Sequence, residues 1–358
     1  MAVTSNYSAM TPLVRQAMSE KAVLESKRHM VLARFGRKED LSKRAGDQVR
    51  VEIFDFGSPV TTAVSYDDVL GAAGSALTTT YKDVVLYEYT NFFRSPRKAL
   101  DMRQGNTRKN LAKGTGKNMG QSIEAILHTR LLATATSIVY AGASADALNE
   151  VVSKVSETEL AEIVDYMRIN NMEMITEFIA SDPGTNTTPV HDCYVAVVPS
   201  RAVKDVMALT NFEDVEKYAT KAGNQLLPKE FGRLKGNHLR FVEGGNWLTA
   251  AGAGAAVSTS GLRYTTVAGA DKVDVDTIFI LSADAFAYVG FDTNLDKKLD
   301  EQYETSVIYQ EGPDSSDPTG LLCTFGWKAN LGCSVIRAKG VIAYRVGTTA
   351  PTVVTELT

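Results

Sequence analysis

The chain has 358 residues, 44% hydrophobic and 22% charged, with a formal net charge of −4; that length allows one large domain or two to three smaller ones with real cores, and the near-neutral balance argues against wholesale wrapping of nucleic acid. The three cysteines, Cys193, Cys323 and Cys333, are an odd set with no short pairing, which points to reduced thiols in a cytosol-like compartment. No apolar run reaches the roughly 18 residues of a membrane helix and residues 1–15 lack a signal-peptide pattern, so a soluble chain made in a cytoplasm is expected.

Residues 1–47 carry no strong β pattern and mix Leu, Val, Ala and Met with basic residues. An extended arm containing a helix is expected there. Residues 48–55 alternate apolar and polar, the period of a half-exposed strand, and residues 83–89 are strand-like again. Between them residues 57–80 are rich in Gly, Ala, Ser and Thr and include Pro59. This connector is longer than the usual hairpin loop of about 2–5 residues. A hairpin projecting in this way buries little of its own surface and needs a partner.

The clearest helix follows. Asn118 and Gln121 resemble a capping box, and Met119, Ile123, Ile126, Leu127, Leu131, Ala135 and Ile138 recur at helical spacing up to Tyr140, with Gly142 as the stop. A second helix is predicted from Ser156, with Glu159 completing a capping box, an apolar face from Leu160 to Phe178, a kink at Asn170-Asn171 and an end at Pro183-Gly184. The pattern then alternates: a buried strand at 194–198, a short helix from Pro199-Ser200 through Leu209, and a strand at 238–243 with Leu239 and Phe241 on one face. The Gly/Ala/Thr/Ser-rich stretch 244–270 reads as a surface loop. A strand at 277–281 leads to a helix at 283–289 capped by Ser282. Two strand runs at 321–330 and 332–346, joined at Leu331-Gly332, precede a Thr/Val-rich tail that is expected to be extended.

Charge is uneven. Residues 94–117 hold eight basic residues against Asp101 alone, residues 27–50 hold eight against three acids, and residues 271–317 hold twelve acids against three lysines. Opposed patches of this kind can align neighbouring copies; solvated faces and pairing within one chain are the simpler alternative. Trp247, Trp327 and the Phe92-Phe93 pair are candidate interface anchors or ordinary core.

Three stretches imitate functional motifs and fail. The run from Gly114 to Asn118 has Leu111 where a phosphate loop needs glycine and Asn118 where it needs Ser or Thr. Asp292, Asn294 and Asp296 begin like a calcium loop, but Lys297 replaces the turn glycine and Glu304 falls one residue past the closing position. Gly252 and Gly254 lack the third glycine of a dinucleotide fingerprint. No two of His29, His128, His191 and His238 have metal-ligand spacing, and no Gly-x-Ser-x-Gly elbow occurs. The residues nominate no catalytic site, cofactor or metal.

The order of elements resembles the HK97-like major capsid proteins, and most nearly the capsid protein family of N4-type tailed bacteriophages. The stretches that carry the resemblance are residues 120–142, ending Ser-Ile-Val-Tyr-Ala-Gly; 192–199, ending Val-Val-Pro-Ser; 231–243; 277–289; and 326–345. The resemblance implies an α+β fold with an N-arm (1–47), an extended E-loop (48–90), a peripheral domain (91–155 and 291–358) with a spine helix at 118–141, and an axial domain (156–290). It implies a non-catalytic major capsid protein that self-assembles, as pentamers and hexamers, into an icosahedral shell around double-stranded DNA. The implied localisation is the virion, with assembly in the host cytoplasm. Decoration, scaffolding and portal proteins are the further partners it implies, with packaged DNA touched only non-specifically and no membrane. Arg94, Arg97, Lys98, Arg103, Arg108 and Lys109 are the candidate inter-subunit contacts. An encapsulin-like cargo compartment and a soluble α/β enzyme are the alternatives from other functional classes.

Overall fold

The structure is a computed structural model and describes residues 22, 25, 26, 28–41, 46–55, 78–102, 107–142, 144–175, 192–215, 229–245, 249–257, 261–291, 306–311 and 317–350. In chain order the first half runs β1 (Arg37–Leu41), β2 (Gln48–Asp55), β3 (Thr78–Val85), β4 (Tyr87–Pro96), α1 (Arg97–Met102), α2 (Thr107–Thr134), β5 (Ser137–Tyr140) and α3 (Glu157–Ile169). The second half runs β6 (Tyr194–Val198), α4 (Val203–Met207), β7 (Phe212–Asp214), β8 (Glu230–Leu234), β9 (Leu239–Glu243), β10 (Tyr264–Val267) and β11 (Ala270–Val273). It closes with β12 (Val275–Leu281), β13 (Phe286–Phe291), β14 (Ser306–Glu311), β15 (Leu322–Val335) and β16 (Val341–Gly347).

The apolar runs of β6, β12 and β16 form the middle of a seven-stranded mixed sheet ordered β5-β16-β12-β6-β9-β8-β7. Side chains of a strand alternate between faces, and here both faces are covered. Val195, Val197, Phe279, Leu281 and Ala343 pack with Met119, Ile123, Leu127 and Leu131 of α2. Tyr194, Ala196, Ile278, Ile280 and Tyr344 pack with Leu160, Ile163, Val164 and Met167 of α3. A second sheet is ordered β1-β13-β15-β14, with β4 also paired to β15. Phe286, Trp327 and Leu331 of that sheet join the same core as α2, so α2 is the element that ties the two sheets together.

Several elements differ from the sequence reading. The long helix spans Thr107–Thr134, beginning before 118 and ending before 141. Its first turns carry Lys109, Lys113 and Lys117 and little apolar periodicity, so the hydrophobic signal starts late. Its predicted end runs into the β-branched residues of β5, where Ile138 belongs to a strand. Asn118 is mid-helix rather than a cap: its Oδ1 accepts from Trp327 Nε1 at 2.9 Å and from Asn91 Nδ2 at 3.1 Å. The second helix stops at Ile169, and Asn171 at φ 53° turns the chain instead of kinking it. Phe178 and Pro183-Gly184 lie outside the described residues. Ser156 makes no side-chain cap; Glu159 instead accepts from the Tyr344 hydroxyl and, at 3.0 Å, from Gly142 N.

The helix predicted at 283–289 is strand β13. Asp284, at φ 49°, reverses the chain, and the Phe-Ala-Tyr-Val run then pairs with β1 on one side and β15 on the other. Tertiary pairing overrides the helical preference of alanine here. The short helix after 199 covers only Val203–Met207. β3 ends at Val85 and β4 begins at Tyr87, so the predicted strand at 83–89 is two strands. β15 passes unbroken through Leu331-Gly332; a Cβ at Gly332 would sit 2.5 Å from Val85 O, so this glycine serves a close approach and not a turn.

The 244–270 stretch is not simply a surface loop. Ala250 bridges to Val275 and Ala256 to Lys272, and β10 and β11 form a hairpin. Two buried carboxylates hold this region. Asp274 accepts from Gly252 N at 2.8 Å and Thr265 Oγ1 at 2.7 Å, and Asp276 from Thr249 Oγ1 at 2.7 Å and Thr348 Oγ1 at 3.1 Å. Residues 30–35 are also more than an arm. Val31 and Leu32 are fully buried against α2, and β1 adds a parallel strand beside β13.

Candidate interaction surface

β2 and β3 pair with each other from Gln48↔Val85 to Asp55↔Thr78 as a two-stranded ribbon. Such a ribbon is marginal on its own. Among its described residues only Val51 and Val84 are buried, against Ala287 and Val289 of β13. Phe54 and Tyr81 stay about half exposed, at 50% and 53%. Arg50 and Asp83 face each other in register and form a forked pair, with Nε to Oδ1 at 2.8 Å and Nη2 to Oδ2 at 3.1 Å. That hydrogen bonding raises the Arg50 pKa and lowers that of Asp83. The Arg50 guanidinium also lies 5.5 Å from the centre of the Tyr81 ring.

β4 pairs with β15 along its whole length, Tyr87↔Leu331 to Pro96↔Leu322. Its other edge takes no strand among the described residues. Adjacent residues of a strand point to opposite faces, so Phe92 and Phe93 leave exposed aromatic surface on both, at 57% and 43%. Arg94 lies 5.2 Å from the centre of the Phe92 ring. Arg130 of α2 lies 4.1 Å from that of Tyr87 and donates to Tyr89 Oη at 3.4 Å. A long edge strand bearing aromatics is a template for pairing with another chain.

The basic candidates continue from this edge. Arg94 is exposed on β4, and Arg97 and Lys98 are exposed at the start of α1, where Arg97 N donates to Leu321 O at 2.8 Å. Lys109, Lys113 and Lys117 are exposed on α2. Arg108 stands in the first turn of α2, and Arg103 lies outside the described residues. The acidic block is smaller as a surface than its sequence count, because Asp274 and Asp276 are buried. Of the candidate anchors, Trp327 is 2% exposed and structural, Trp247 lies outside the described residues, and Phe92-Phe93 is on the surface.

The rejected motifs have structural outcomes too. Residues 114–118 lie inside α2 and form no loop. The calcium-like stretch 292–304 and His191 lie outside the described residues. His128 is buried edge-on to Phe279 with ring centres 5.1 Å apart, and burial, with Arg345 nearby, lowers its pKa to about 4. Cys193 and Cys333 are buried free thiols, and Cys323 is buried as well. Cys193 borders a cleft of about 320 Å³ with Asp192, His238 and Arg233. Burial pushes its pKa up to about 11, the wrong direction for a nucleophile at neutral pH. Among the described residues no cluster of His, Cys, Asp and Glu could hold a metal, and no helix is long and apolar enough to cross a membrane.

The sequence matches no protein-family model and no curated protein. Solved structures do resemble the chain. The capsid of Ralstonia phage GP4 is 14% identical, with 89% of this chain and 88% of that chain covered and a TM-score of 0.56. The head of Helicobacter pylori bacteriophage KHP40 is 14% identical, with 88% and 87% covered and a TM-score of 0.53. The capsid of cyanophage Pam1 is 13% identical, with 88% and 89% covered and a TM-score of 0.51. The likeness spans nearly the whole of each chain and establishes the α+β fold as HK97-like.

Proposed function

We propose that this chain is a major capsid protein, a non-catalytic subunit whose copies close into the icosahedral head shell of a tailed bacteriophage around double-stranded DNA. The observation that carries the reading is the pairing of that fold with a ribbon and a strand edge that gain little from their own chain. Among the described residues Val51 and Val84 are the ribbon's buried ones, while Phe54, Tyr81, Phe92 and Phe93 are exposed. Surface of this kind gains stability when another chain covers it. Many moderate contacts then sum to a stable closed shell.

In this reading residues 1–47 serve as the N-arm and 48–90 as the E-loop over a neighbour. Residues 91–155 and 291–358 form the peripheral domain, with α2 as its spine, and 156–290 form the axial domain around five- and six-fold axes. The phage heads and capsids among the structural neighbours support pentamers and hexamers of this chain and a place in the virion. Membership of the N4-type family, and contacts with scaffolding, decoration and portal proteins or DNA, are finer proposals that rest on the sequence resemblance.

The basic run belongs at a subunit boundary or the shell lumen. Replacing Arg94, Arg97 and Lys98 together by Glu inverts the charge at the end of β4. The expected outcome is a folded chain, by circular dichroism, that yields no shells in negative-stain micrographs. Shells of normal size and number from the triple variant would remove these residues from the boundary. Purified wild-type chain that stays monomeric at every concentration, in the absence and presence of infected-cell extract, would overturn the capsid reading itself.

A further inference from the structure

The segment 30–35 is seated on α2 by one buried carboxylate. Glu124 is 3% exposed. Its Oε2 accepts from Val31 N at 3.0 Å, and its Oε1 accepts from Leu32 N at 3.0 Å. These amides open the short 3₁₀ helix Leu32–Arg34, which has no side-chain cap of its own. One and two turns before Glu124, Gly120 and Gly116 let the preceding backbone touch the helix. A Cβ at Gly120 would meet Ser26 O at 2.5 Å, and one at Gly116 would meet Ala22 O at 2.1 Å. Glu124 thus closes a row of contacts in which Ala22, Ser26, Val31 and Leu32 meet one stripe of α2.

We infer that Glu124 makes the seating of residues 30–35 proton-linked, so that this segment is a strap held most firmly at acid pH and loosened as the solution turns alkaline. The device is internal to one chain and does not depend on assembly.

Two effects oppose each other. Protonation removes an acceptor from the two amides, which weakens the seat. Ionisation leaves a charge in a dry site, which also weakens it. Burial is the larger cause: it outweighs the Leu32 and Val31 amides and the attraction of Lys229 and Arg34, and lifts the carboxyl from 4.5 to about 7. The cations facing Glu124 are Arg34, on the strapped segment, and Lys229, just before β8. His128 follows one turn later on α2, and its pKa of about 4 keeps it neutral through this range. His29, beside Lys229, Glu25, Lys117 and Arg28, has its pKa lowered chiefly by burial. For a carboxyl with a raised folded-state pKa, the stabilisation is complete below the solvent value and disappears as pH rises through the folded value. The window therefore runs from about 4.5 to about 7.

Hydrogen exchange followed by mass spectrometry on the full-length chain, corrected for intrinsic exchange, tests this. In wild type the opening equilibrium of peptides covering 30–35 should rise about tenfold between pH 6 and pH 8, relative to the internal reference strand β12. Glu124→Gln keeps a carbonyl acceptor and cannot titrate, so its profile should be flat. A flat wild-type profile, an equal change in β12, or the same slope in Glu124→Gln would each overturn the proposal. The wild-type comparison with β12 decides the matter even where the variant does not fold.

Discussion

The seven-stranded sheet and the β2–β3 ribbon are both β structure, yet they depend on different things. The sheet is covered on one face by α2 and on the other by α3, and β6 and β12 are buried along their whole lengths. The ribbon has eight residue pairs in register and two buried side chains, Val51 and Val84, among its described residues. Backbone pairing therefore does not tell the two apart. The difference is apolar burial, worth about 25 cal/mol per Å², which the sheet obtains within the chain and the ribbon does not.

The sharpest way to break this contrast is to truncate one ring in each region. Phe279, fully buried between the sheet and α2, should cost about 3–5 kcal/mol as Phe279→Ala, through lost transfer energy and a residual cavity. Urea unfolding of the isolated chain measures it. Tyr81→Ala on the ribbon should stay within about 0.5 kcal/mol in the same experiment, while lowering shell yield. Equal costs at the two sites would end the distinction.

Next in size is Asp276→Ala, which strands the Thr249 and Thr348 hydroxyls. A loss of about 1–3 kcal/mol is expected, together with faster proteolysis within 249–257. A smaller effect concerns the thiols. Burial pushes Cys193 to about 11 and raises Cys333 as well. Native chain at pH 8 should therefore react with a thiol reagent far more slowly than urea-unfolded chain, because the thiolate is the reactive form. Fast labelling of Cys193 in the native state would show that the start of β6 opens readily.

The same contrast explains what the sequence could disclose. The strands at 48–55 and 194–198 were readable because one alternates and the other is a short continuous apolar run. Order along the chain carried the fold: arm, ribbon, long helix, mixed region, returning strands. The strand at 286–291 was not readable, since alanines and aromatics there suit either state until β1 and β15 flank it. The role of Glu124 was invisible for a related reason. Its partners, Val31 and Leu32, are over ninety residues away, and backbone amides leave no residue-type signal. Asp274 and Asp276 are indistinguishable in the sequence from the surface acids around them for the same reason. Phe92-Phe93 is visible as a pair, but only the edge of β4, which takes no second strand among the described residues, separates an exposed anchor from a core residue.

The smallest effect on the isolated chain tests the ribbon most directly. Arg50 and Asp83 are exposed and sit opposite each other in register. Exposed pairs add little to stability because water screens them and two side chains must be ordered. Asp83→Arg should leave the melting temperature of the free chain unchanged within error. If neighbouring copies cover the ribbon, as the proposed shell requires, water no longer screens the repulsion between Arg50 and a second arginine directly across the strands. Like charges placed opposite one another disfavour pairing, so shell yield should fall. The exchange Arg50→Asp with Asp83→Arg restores an opposed pair at the same register and should recover assembly, as judged by sedimentation and negative-stain counts. If the single reversal assembles as well as wild type, the ribbon is as solvent-exposed in the shell as in the free chain, and its exposed face is not where copies meet.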